Sequence, residues 1–136
     1  MEIISDKNKI LSIIIRKSFK NTGIKFFTPN SFSQQLAQMS HKKGKLIKCH
    51  YHKKTIRKTV STQEVLIIKK GKLKVFLFNE ERKYFCSKIL KDGDVILLAS
   101  GGHGFKALSD VSFIEVKQGP YSPKTDKILF KSTRLK

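Results

Sequence analysis

The chain reads as an all-β protein, a sandwich or barrel of short strands. Three observations predict this. Short apolar runs recur with turn chemistry every eight to twelve residues. No amphipathic stretch of helical length recurs between them. Several runs alternate or are continuously apolar in the manner of half-buried or buried strands. In chain order the expected strands are 9–19, 23–27, 33–39, 45–52, 64–70, 72–78, 83–90, 94–99, 104–108 and 112–118. Gly71 within KKGK, the NEER run at 79–82 and KDGD at 91–94 supply the turns between the later ones. One short helix is compatible with the pattern.

At 136 residues, with 39% hydrophobic residues, ten Phe and no Trp, the chain is expected to form a single domain over 1–136 with a real core. Residues 1–40 are read as N-terminal strands packing on the barrel or on a partner subunit. The longest apolar runs, VLII at 65–68 and VILLA at 95–99, are too short to cross a bilayer, and the N-terminus lacks the pattern of a secretion signal. Two cysteines, Cys49 and Cys86, are too few for a stapled secreted scaffold, so a reduced, cytoplasmic protein without membrane contact is expected. In EVLIIKK, Glu64 shares a face with Leu66 and Ile68, while Val65 and Ile67 occupy the other. A strand apolar on both faces implies a second cover, either a partner in a homodimer or the chain's own first forty residues.

The charge is +19, from 29 basic and 10 acidic residues. Such a balance suits a polyanion, but the excess is nearly all lysine, scattered along the chain, with Arg only at 16, 57, 82 and 134. Arginine is the residue suited to bidentate phosphate and base recognition, and no nucleic-acid fold signature is present, so polyanion or nucleic-acid binding is the minority reading.

Three of the four histidines carry the chemistry. His50 and His52 form an HYH triplet whose alternate residues would share one face of a strand, and His103 lies in SGGHGF. Gly44 precedes His50 with five residues between, and Glu64 precedes Gly71 with six between. Gly93 and Asp94 open the VILLA run that leads to His103. This order resembles the cupin superfamily, whose first motif runs Gly, five residues, His-x-His, three or four residues, Glu, six residues, Gly, and whose second contains Gly, Pro-x-Gly, His and Asn. GDVILLASGGHGF followed by FIEVKQGPY is also similar to small stand-alone bacterial cupins linked with sugar and polysaccharide metabolism. The resemblance covers residues 32 to about 130.

Two departures stand beside the resemblance. Eleven residues, KKTIRKTVSTQ, separate His52 from Glu64, and Ala99 and Ala107 stand where the pattern has Pro and Asn. His103 comes one residue early, a slip that would turn it to the wrong face unless Gly101 and Gly102 permit a local irregularity.

The resemblance implies a cupin-like double-stranded β-helix, or jelly-roll barrel. It further implies a divalent metal (Zn, Fe, Mn, Ni, Co or Cu) held by His50, His52, Glu64 and His103. The ligand would be a small polar or anionic, carbohydrate-derived molecule, contacted by Arg57, Lys53, Tyr51 and Glu115. If the protein is an enzyme, isomerase or epimerase chemistry and metal-dependent oxygenation are both open. Without a metal, His50, His52 or His103 would act as acid and base in a sugar-nucleotide isomerase.

Overall fold

The computed structural model describes residues 1–122 and 126–135. It is all-β, with ten strands, β1 (Glu2–Asp6), β2 (Lys9–Ile15), β3 (Gly23–Phe26), β4 (Ala37–Ser40), β5 (Glu64–Lys70), β6 (Lys72–Phe78), β7 (Tyr84–Lys91), β8 (Val95–Leu98), β9 (Gly102–Ala107) and β10 (Ser112–Lys117). A single 3-10 turn, Thr133–Leu135, follows near the end. Every pairing is antiparallel. The sheets have orders β1-β2-β8-β5-β10, β7-β6-β9 and β3-β4, and none closes into a barrel.

The chain divides into two compact units. One comprises Met1–Phe19 and Ser61–Lys136, the other Lys20–Val60. In the larger unit the five-stranded and three-stranded sheets enclose a common core. Ile14, Leu66, Ile68, Ile96 and Leu98 come from one sheet, and Leu73, Val75, Leu77 and Leu90 from the other. Gly71, with φ of +89°, joins β5 to β6 and so carries the chain from the first sheet to the second. On the outer face of the five-stranded sheet Ile13, Val65 and Leu97 are buried, whereas Ile3, Ile114 and Val116 are about half exposed.

Two expected elements differ. β1 was not among the expected strands. It pairs with β2 through a turn at Lys7, which has φ of +52°. Conversely KLIKCHYH at 45–52 is not a strand, and the whole stretch 41–60 is exposed. Leu46 and Ile47 are adjacent and so break the alternation a half-buried strand needs. Eight Lys and Arg within 41–60 repel one another with no acid between them.

Asp94 closes the turn before β8. Its carboxylate accepts from the Lys17 and Lys91 amides and from the Arg16 guanidinium, at 2.9–3.1 Å. Arg16 also donates to Glu2, which takes a further bond from Lys88. Asp94→Ala removes three acceptor contacts of a buried carboxylate and is expected to cost about 2–4 kcal/mol, read by chemical denaturation.

Three carboxylates of this unit, Glu2, Glu64 and Asp94, are held below the usual carboxylate range. Bonds from Lys88 and then Arg16 lower Glu2, while at Asp94 burial pushes upward but is overcome by the two amides and Arg16. The His103 hydrogen bond lowers Glu64. As pH falls the unfolded chain therefore takes up protons first. The stability these groups contribute is complete above their ordinary values, 4.5 for Glu and 3.8 for Asp, and is lost as pH falls through the lower folded values. Calorimetry should show Tm nearly level from neutrality to about pH 5 and falling below about pH 4. A Tm that rises on acidification would contradict this.

Candidate functional site

Register alone brings a set of polar side chains to one end of the core. Residues directly opposite one another in a ladder project from the same face. Lys117 lies opposite Glu64, Glu115 opposite Leu66 and Phe113 opposite Ile68. In the other sheet His103 lies opposite Leu77 and Phe105 opposite Val75. Since Leu66, Ile68, Val75 and Leu77 are core residues, all of these partners face inward. β9 and β10 are terminal strands of their sheets, so this inward face is reached at an open side.

Across that opening, His103 Nε2 stands 3.0 Å from Glu64 Oε2, a contact between the two sheets. With the imidazole donating, the Glu64 carboxylate accepts and is held below the usual carboxylate range. The His103 bond is the largest cause, burial opposes it, and Lys117 adds to it. Lys117 Nζ contacts Asp126 at 2.9 Å, Glu115 at 3.4 Å and the second Glu64 oxygen at 3.5 Å. These carboxylates raise Lys117 well above the usual lysine value, the Asp126 hydrogen bond contributing most, so it remains an ammonium. Its Nζ also sits 4.9 Å from the centre of the Tyr121 ring. Phe105 packs beside His103 at 5.2 Å and faces Phe113 at 6.3 Å, forming the apolar floor.

His103 reaches this position because the chain turns a corner between β8 and β9. The Ala99 amide donates to the Leu11 carbonyl and the Ser100 hydroxyl to the Ile10 carbonyl. Gly101 then adopts φ of +72°, where a Cβ would strike the Phe78 carbonyl oxygen. The irregularity expected at the glycine pair is therefore present, and it turns His103 toward the core.

Glu64, His103 and Glu115 thus come together, joined by Lys117 and Asp126, which the sequence reading did not single out. Lys117 was legible in principle, two residues beyond Glu115 on the same face of β10. Its role depends on the β5–β10 register, which local pattern does not reveal.

The remaining expected site residues belong to the Lys20–Val60 unit. His50 and His52 do share a side, with ring centres 5.4 Å apart, but both are exposed and lie outside any strand. His50 Nδ1 is 2.9 Å from the Lys48 carbonyl. Tyr51 is 88% exposed, and Lys53 is exposed. Arg57 lines a shallow cleft of about 540 Å³ with Lys58, Phe26, Phe32 and Gln35, all within that unit. Among the described residues no group of three or more His, Cys, Asp or Glu is arranged to hold a metal ion. Both cysteines are free, and burial raises the Cys86 thiol. No helix among the described residues is long and apolar enough to cross a membrane.

Fold and site together define an all-β protein whose larger unit pairs two sheets, with a histidine–carboxylate contact bridging them at an open side. Compared with models of protein families, with curated proteins and with solved structures, the chain has no significant match.

Proposed function

We propose that the protein is a small cupin-like protein whose larger unit binds a hydroxylated, carbohydrate-derived ligand at the Glu64–His103 pair and moves a proton on it, as in isomerisation or epimerisation. The single observation that carries this reading is the 3.0 Å contact between His103 on one sheet and Glu64 on the other. A carboxylate that accepts from one imidazole nitrogen orients the ring and leaves Nδ1 as the basic nitrogen. In the proposed reaction Nδ1 removes a proton from carbon beside a carbonyl. The C–H electron pair moves into an enolate whose oxygen is met by the Lys117 ammonium; in isomerisation the adjacent hydroxyl passes its proton to that oxygen while Nδ1 returns its own to the former carbonyl carbon, and in epimerisation water delivers a proton to the opposite face while Nδ1 releases its own to solvent.

Charge and shape support the hydroxylated ligand over an anionic one. Glu64, Glu115 and Asp126 outnumber Lys117, so the cluster offers acceptors to hydroxyl groups and would repel a phosphate. Phe105 and Phe113 add flat apolar surface of the kind small-ligand sites use.

Strand order supports the cupin-like part of the reading. From β5 to β10 the strands divide between the two sheets, β5, β8 and β10 in one and β6, β7 and β9 in the other, with β5 paired to β10 and β6 to β9 in nested fashion. Nested antiparallel pairs shared between two sheets are how a jelly roll winds.

A divalent metal on His50, His52, Glu64 and His103 is the second reading, and one observation favours it. The 3.0 Å contact brings one imidazole nitrogen and one carboxylate oxygen together, donors of the kind a borderline divalent metal takes. In this reading His103 and Glu64 would supply two of the ligands. The ion would act as a Lewis acid on the ligand's oxygen.

The test combines two measurements on untagged protein: thermal shift against a panel of sugars, keto-sugars and sugar nucleotides, and solvent deuterium incorporation into any binder by NMR. Exchange at a carbon beside a carbonyl is expected, and metal analysis of the same sample separates the two readings. A panel without any binder, or binding that survives His103→Ala unchanged, would overturn both.

A further inference from the structure

All ten acidic residues of the chain lie outside residues 20–60, while that stretch holds ten Lys and Arg. The Lys20–Val60 unit is therefore acid-free, and more than half of the +19 charge sits on fewer than a third of the residues. Nine of its ten cations are lysine, and none can find a carboxylate within its own unit.

The same unit exposes large apolar side chains. In the β3–β4 hairpin Ile24 lies opposite Met39, and Phe26 shares their face. These three are 55–57% exposed, so the hairpin's apolar side is uncovered. A two-stranded hairpin is marginal in water without such cover. Farther on, Leu46, Ile56 and Val60 are 79–100% exposed between the lysines of 41–60.

We infer that this unit is a peripheral docking surface for an anionic lipid bilayer. Charge complementarity names the occupant. Lysines draw the unit to acidic headgroups as point charges, without the bidentate geometry that arginine brings to phosphates. The aliphatic side chains enter the boundary between headgroups and acyl chains, which hydrates them poorly. A nucleic acid would account for the cations and for stacking on Phe26 and Tyr51, but it would leave the aliphatic Ile24, Met39, Leu46 and Ile56 uncovered. Surface docking of this kind needs no spanning helix.

The test uses the full chain and vesicles of phosphatidylcholine alone or mixed with phosphatidylglycerol, read by co-sedimentation. Because the chain has no Trp, Ile56→Trp provides a clean fluorescent reporter. Binding to the mixed vesicles but not to phosphatidylcholine is expected, with a blue shift of the reporter. Replacing Lys42, Lys43, Lys45 and Lys48 by Gln should weaken binding by about a hundredfold or more. Ile24→Ser with Phe26→Ser should weaken it by about tenfold and reduce the part that survives high salt. All of these positions are exposed, and an unchanged Tm confirms that the variants fold.

Three results would each overturn the inference. One is no binding to mixed vesicles at low salt. Another is retention on single-stranded DNA as tight as on vesicles, with no blue shift on lipid. The third is a reporter already blue-shifted in an oligomer without vesicles, which would mean that a second copy covers the apolar face.

Discussion

Glu64→Gln is expected to lower proton exchange on the ligand by about a hundredfold to ten-thousandfold, the range over which positioned acid–base groups act. The substitution keeps the shape of the side chain but removes the charge that holds the His103 Nε2 proton. Glu64 is only 14% exposed, so water does not readily replace what the carboxylate does. The imidazole loses its oriented tautomer, and Lys117 loses one of its three carboxylate contacts. Stability at neutral pH should change by no more than about 2 kcal/mol, because a hydrogen-bonding amide remains. Loss of exchange with Tm nearly intact would separate a role in chemistry from a merely structural ion pair. If Tm collapses while exchange per folded molecule is unchanged, the pair is a structural bridge between sheets.

Gly101→Val is expected to be the most damaging single change to the fold, at about 3–5 kcal/mol. Two penalties act together. At φ of +72° a β-branched residue is strained, and its Cβ would run into the Phe78 carbonyl, with Leu11 Cδ2 only 3.2 Å away. Backbone cannot yield there as the tip of a flexible side chain would, because Phe78 ends β6 and pairs with Gly102. A loss of that size lowers Tm by roughly 10 °C or more in a chain of this length. Whatever protein remains folded should also lose the His103–Glu64 contact, since this corner aims His103 inward. Denaturation midpoints read the first effect and ligand thermal shift the second.

These expectations rest on features of unequal visibility in the amino-acid sequence. β5 and β6 occupy the expected spans because VLII and VFLF are strongly apolar and Gly71 punctuates them. The inward aim of His103 was readable only through Gly101 and Gly102, whose freedom allows a corner to correct a one-residue slip. Lys117 escaped notice because an isolated lysine in an apolar strand looks solvated until the ladder sets it against Glu64. The 45–52 segment failed for the opposite reason. Its histidines alternate well, but a strand needs a partner, and crowded lysines beside two adjacent aliphatics do not provide for one. The lysines themselves look scattered when counted alone. Their segregation emerges from where the acids are missing, over 20–60, and a tally of net charge conceals it.

A proton carried by His103 Nε2 and accepted by Glu64 is the central feature of the site, and nitrogen-edited NMR of selectively labelled histidine reads it directly. The wild-type protein should show His103 protonated at Nε2, with a slowly exchanging downfield proton that vanishes in Glu64→Ala. A His103 ring bare at Nε2, or one whose signals ignore Glu64→Ala, would contradict it.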